Sequence, residues 1–106
     1  MTADDNNELI RGLKESRKQL NVLLAGKSTS KQKKEIAKKM GDIDTQITRL
    51  FGSNISELTN EYKDCLAELQ KANQELTKAI QSIANLTAAL QAVAQVVTLA
   101  VGIATK

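Results

Sequence analysis

The stretch AIQSIANLTAALQAVAQVVTLAVGIAT, residues 79–105, holds no Asp, Glu, Lys or Arg in 27 positions. The rest of the chain uses charge freely, since 26 of its 27 charged residues fall within positions 1–78. A helix exposed to water ordinarily carries Lys and Glu on its outer face. Wound as a helix, the segment places Ile83, Leu86, Leu90, Val93, Val97 and Val101 on one side. Gln81, Asn85, Gln91, Gln95, Thr98 and Gly102, with Ala88 between Asn85 and Gln91, step by threes and fours along the other, as a stripe of small and amide residues. The aliphatic side is the candidate oligomer or membrane face. About 20 apolar-dominated residues meet the length of a bilayer core, with Gln91 and Gln95 as the polar interruptions. Small and amide side chains also suit close helix–helix contact in lipid, or a buried position in a soluble oligomer.

Working back from this segment, Ile55, Leu58, Tyr62, Cys65, Leu69, Ala72, Leu76, Ala79, Ile83, Leu86, Leu90, Val93, Val97, Ala100 and Ala104 alternate by three and four without interruption. That period predicts one continuous helix over about 54–105, roughly 75 Å long at about 1.5 Å per residue. Two shorter helices precede it. Leu9, Ile10, Leu13, Leu20, Leu23 and Leu24 mark one over about 4–25, with Thr2, Asp4 or Asp5 as caps and Gly26 as a left-handed terminator. Ile36, Met40, Ile43, Ile47 and Leu50 mark a second over about 30–51, capped from Ser28-Thr29-Ser30. Ser53, Asn54 and Glu57 offer an approximate capping box for the long helix.

The expected fold is therefore all-α, a single domain over 1–106. Its expected form is a helical hairpin packed on one long C-terminal helix, a three-helix coiled-coil bundle that leaves apolar seam uncovered and so self-associates. The alternative is an antiparallel four-helix bundle, with a break near Asn73 or Asn85. It would bury the last segment internally, and it lacks the Gly or Pro turn chemistry such a break normally uses.

Composition excludes most chemistry. With no His and Cys65 as the sole thiol, the chain has no imidazole base, no Cys–His pair and no intrachain disulfide. Catalytic, cofactor-binding and metal-binding residues are expected to be absent, and the chain is read as no enzyme. Cys65 lies on the seam and reads as a small buried apolar group. The paired acids Glu57 and Glu61, or Asp64 and Glu68, read as solvated faces. Gly26-Lys27-Ser28 lacks the earlier glycine of a phosphate loop.

The formal net charge of +3 originates between residues 27 and 51. Lys27, Lys31, Lys34 and Lys38, with Lys33 and Lys39, form a candidate basic face suited to anionic lipid headgroups. Nucleic acid is the weaker partner, because the run has no Arg to read bases, and Tyr62 and Phe51 are the chain's only aromatics. The acidic, polar N-terminus does not read as a secretory signal, which points to a cytoplasmic or membrane-associated location.

In architecture, such a hairpin beside a longer helix with an uncharged apolar end resembles α-helical pore-forming toxin components and secretion-system translocators. That likeness assigns no residue a role. The function expected from the sequence is non-enzymatic self-assembly, in which the C-terminal helix meets membrane or copies of itself. The alternative is a soluble homo-oligomeric scaffold or adaptor that binds a helical protein partner.

Overall fold

The computed structural model describes residues 7–26, 28–53, 55 and 58–104, the last of these by its backbone. All regular structure among them is helical: α1 (Glu8–Ala25), α2 (Ser30–Leu50), α3 (Asn60–Gln81) and α4 (Leu86–Ala104), with one 3-10 turn, Ile83–Asn85, between the last two. The all-α expectation holds.

Each described start has its own chemistry. Asn7 caps α1, its Oδ1 accepting from the N–H groups of Leu9 and Ile10 at 2.9 and 3.1 Å. The caps expected at residues 2–5 lie outside the described residues. Thr29 and Gln32 form a reciprocal capping box on α2, each side chain bonded to the other's backbone N–H. Thr59 caps α3 through the Tyr62 N–H at 3.2 Å, so this helix starts later than expected. Asn54 and Glu57 of the expected capping box are outside the described residues. Gly26 is extended (φ −91, ψ −152) rather than left-handed. The positive φ belongs to Gly52, at 82°, where the chain leaves α2.

The main correction concerns the long helix. Instead of one rod over 54–105, the chain breaks at Ser82, whose backbone is extended (φ −147, ψ 116), and α4 turns back onto α3. The protein measures 41 × 20 × 20 Å, too short for the rod. The reason is burial. Leu86, Leu90, Val93, Val96 and Ile103 are all buried by the fold-back. At about 1.5–3 kcal/mol per fully buried aliphatic side chain, covering them outweighs the few backbone hydrogen bonds, each about 1 kcal/mol net, that the break forfeits.

Packed pairs are α1 with α2, α1 with α3, α3 with α4, and α2 with α4. The four helices therefore stand in a square, with α1 diagonal to α4. Contacts between Gly12 and Leu69, Ser16 and Asn73, and Gln19 and Thr77 advance together along both chains, so α1 and α3 run parallel. Arg17 with Asp44 and Lys33 with the end of α1 show that α1 and α2 are antiparallel. The α3–α4 hairpin is antiparallel as well, with Cys65 Sγ 4.0 Å from the Val96 carbonyl oxygen.

The core follows the seam closely in α3, where Tyr62, Cys65, Leu69, Ala72, Leu76 and Ala79 are buried. In α4 it broadens. Leu86, Val93 and Ala100 form the centre, Ala89, Val96 and Ile103 one flank, and Leu90 with half-buried Val97 the other. A helix touching two neighbours needs a wider apolar stripe than one coiled-coil seam.

Candidate association surface on the fourth helix

Of the aliphatic residues expected on the association face, Leu86, Leu90 and Val93 are buried inside the protein and Val97 is half-buried. Ile83 and Val101 are exposed, at 41% and 37%. The premise that the apolar side of this segment lies uncovered is thus removed by α2 and α3, which cover it. What faces outward is the stripe: Gln81, Asn85, Gln91, Gln95, Thr98 and Gly102 are all exposed, together with Ala84, Thr87 and Ala88. Thr98 Oγ1 turns back to its own helix, donating to the Ala94 carbonyl at 3.0 Å. Residues Ile83–Ile103 are long and apolar enough to cross a membrane by length and composition, and 39% of that apolar window is buried. The remainder is exposed or half-buried, and all of it is uncharged.

The uncharged strip has charged borders of two kinds. On one side α2 brings Glu35, Lys38 and Lys39 against Thr87, Leu90 and Gln91. On the other, α3 brings Glu68, Lys71 and Glu75 against Ala88, Gln91 and Gln95. The fold thus sets the most basic helix directly beside the least charged one.

The lysines expected as one basic face are divided. Lys31, Lys34 and Lys38 are exposed, and Lys27 lies outside the described residues. Lys33 faces α1, where its Nζ donates to the carbonyls of Leu24 at 2.6 Å and Gly26 at 3.1 Å. A cation there offsets the negative end of a helix whose own last turn has no basic residue.

Sequence reasoning missed a polar ladder between α1 and α3. Ser16 is fully buried, its Oγ–H directed between the Gly12 carbonyl, 3.1 Å away, and Asn73 Oδ1. Asn73 Nδ2 donates to the same Gly12 carbonyl at 3.3 Å. One helical turn on, Thr77 Oγ1 lies 2.9 Å from Gln19 Oε1. The signal was the gap between Leu13 and Leu20, where the apolar period wants a residue and Ser16 occupies it.

Cys65 is buried, and burial pushes its thiol up to about 11. Loss of water disfavours the thiolate, so at neutral pH this sulfur is an inert packing group. Among the described residues, no three Cys, Asp or Glu side chains gather to hold a metal ion. No protein-family model, curated protein or solved structure matches this chain.

Proposed function

We propose that this is a non-enzymatic helical protein that acts by association through α4, and that an anionic lipid bilayer is the surface it meets. One observation carries the reading: the outward face of Ile83–Ile103 is uncharged from end to end and lies alongside lysine-bearing α2. An uncharged face loses little on leaving water, while Lys38 and Lys39 at its edge would meet lipid phosphates. Each Lys near an anionic membrane surface contributes about 1 kcal/mol. In such contact α4 supplies the inserting element, in keeping with a pore-forming or translocator-like role.

Flotation of the full-length chain with vesicles containing anionic lipid tests this. Wild type floats at low salt and less so as salt screens the lysines. Gln91→Asp with Gln95→Asp changes only exposed positions and leaves the fold intact. It should abolish flotation, since each such charge costs about 2.5–3.5 kcal/mol at a membrane-helix centre. A wild-type chain that stays wholly soluble at low salt ends the membrane reading.

A soluble homo-oligomeric scaffold is the second reading, and the burial of Leu86, Leu90 and Val93 favours it. The face left outside is built of Ala, Thr and amide residues that let another helix approach closely. In that case the wild type sediments above 11.5 kDa without lipid, and the same double Asp variant returns it to a monomer.

A further inference from the structure

The joint between α3 and α4 is unusual for a helical hairpin. Residues 82–85, Ser-Ile-Ala-Asn, include neither Gly nor Pro. Only Ser82 leaves the helical region. Ile83–Asn85 already form a helical turn, held by the Asn85 N–H on the Ser82 carbonyl at 3.0 Å, and Leu86 has right-handed helical backbone. No side chain caps the start of that turn. All residues from Ile80 to Asn85 are exposed, with Ile80 and Ile83 each at 41%, so packing does not hold the joint shut. Across it the three-four apolar alternation runs from Tyr62 through Ala79, Ile83 and Leu86 to Val93 without a change of phase. The local sequence favours a continuous helix, and only the tertiary burial of α4 opposes one.

We infer that α4 exchanges between two copies of this chain, with Ser82 as the hinge. When Ser82 takes helical backbone, residues 60–104 become one helix of about 68 Å. The α4 of each copy then seats on the α2 and α3 of the other. A second copy is the occupant because the surface that α4 vacates is already shaped to α4: the contacts of Leu90, Val93 and Val96 are re-formed between chains instead of within one. The exchange adds the backbone hydrogen bonds missing at the joint and brings two exposed Ile80–Ile83 pairs together where the long helices cross. It costs the entropy of bringing two chains together, so it depends on protein concentration. It needs no lipid and is independent of the bilayer contact proposed above.

Sedimentation equilibrium of the full-length chain over a concentration series is the first measurement, with two variants acting in opposite directions. Ile83→Pro suits the hairpin, since the extended Ser82 is the backbone a residue before proline adopts. In a continuous helix the same proline clashes with the Ala79 carbonyl. Ser82→Ala with Asn85→Ala removes the residues least suited to a helix interior. Expected are a wild type in equilibrium between 11.5 kDa and twice that mass, an Ile83→Pro variant that stays monomeric, and a double-Ala variant whose dimer dissociates at least tenfold less readily.

The second measurement separates exchange from ordinary dimerisation. Spin labels at Glu68→Cys and Gln95→Cys, in a Cys65→Ala background, lie across one groove in the hairpin. In the exchanged dimer, diluted with unlabelled chains, they report about 40 Å along one helix. A short distance in the diluted dimer overturns the inference. So does a wild type that remains at 11.5 kDa to its solubility limit, or an Ile83→Pro variant that dimerises as the wild type does.

Discussion

Gly12 of α1 leaves the space that Leu69 of α3 fills: a Cβ at position 12 would overlap the Leu69 Cδ2 methyl and stand 3.0 Å from its Cγ. Leu69 is itself 1% exposed, so moving its side chain aside disturbs its packing in the core. Glycine inside a helix costs about 1 kcal/mol relative to alanine, and here that cost is exchanged for close approach of two parallel helices.

Two glycine substitutions should therefore differ in sign. Gly41, on the exposed side of α2, has no atom within 4 Å of a would-be Cβ. Gly41→Ala should raise stability by about 0.5–1 kcal/mol through helix propensity. Gly12→Ala should lower it by about 1–3 kcal/mol through overpacking. Urea denaturation midpoints measure both, and a stabilising Gly12→Ala would show that α1 and α3 are further apart.

The ladder at Ser16 and Asn73 predicts coupling. Asn73→Ala removes a donor from the half-buried Gly12 carbonyl and an acceptor from buried Ser16, and should cost about 1–3 kcal/mol. In a double-mutant cycle with Ser16→Ala the two losses should fall short of additivity by at least 0.5 kcal/mol, the range found for residues in one network.

Lys33 should matter more to stability than its exposed neighbour Lys34. With Nζ on the Leu24 and Gly26 carbonyls, Lys33→Ala should cost about 0.3–1 kcal/mol, whereas exposed Lys34→Ala should change stability by less. Thermal melts of the two variants at low salt make the comparison.

Gln46 is buried at 4% exposure, and its Oε1 has no hydrogen-bond partner among the described residues. Gln46→Met keeps the length of the side chain and removes the amide, with its unpartnered oxygen. It should stabilise by about 1 kcal/mol, as an upward shift of the denaturation midpoint.

Cys65 gives a pH dependence. Its folded value, about 11, lies above the 9.0 of a free thiol, so between these pH values the unfolded chain holds fewer protons. The stabilisation is complete below pH 9 and is lost as pH rises through 11, to a total of about 2–3 kcal/mol. Cys65→Ala lacks this term. The difference between the wild-type and variant denaturation midpoints should narrow over that window, and a constant difference would place Cys65 in contact with water.

The sequence by itself determined that the chain is helical, where α1 and α2 end, and that residues 79–105 are set apart by their lack of charge. These are local properties: the three-four period, the capping residues around 28–30 and the count of charged side chains can each be read one segment at a time. The face of α3 was legible for the same reason, since Cys65, Leu69, Ala72 and Leu76 keep strict period. Only the tertiary structure decided the break at Ser82, because nothing local breaks the helix there and the gain comes from covering Leu90, Val93 and Val96 with α2 and α3. It likewise decided which side of α4 faces out, the reach of Lys33 to the end of α1, and the burial of Ser16 against Asn73. Each of these depends on which helix becomes a neighbour, and that is settled by the summed burial of four helices rather than by any one of them.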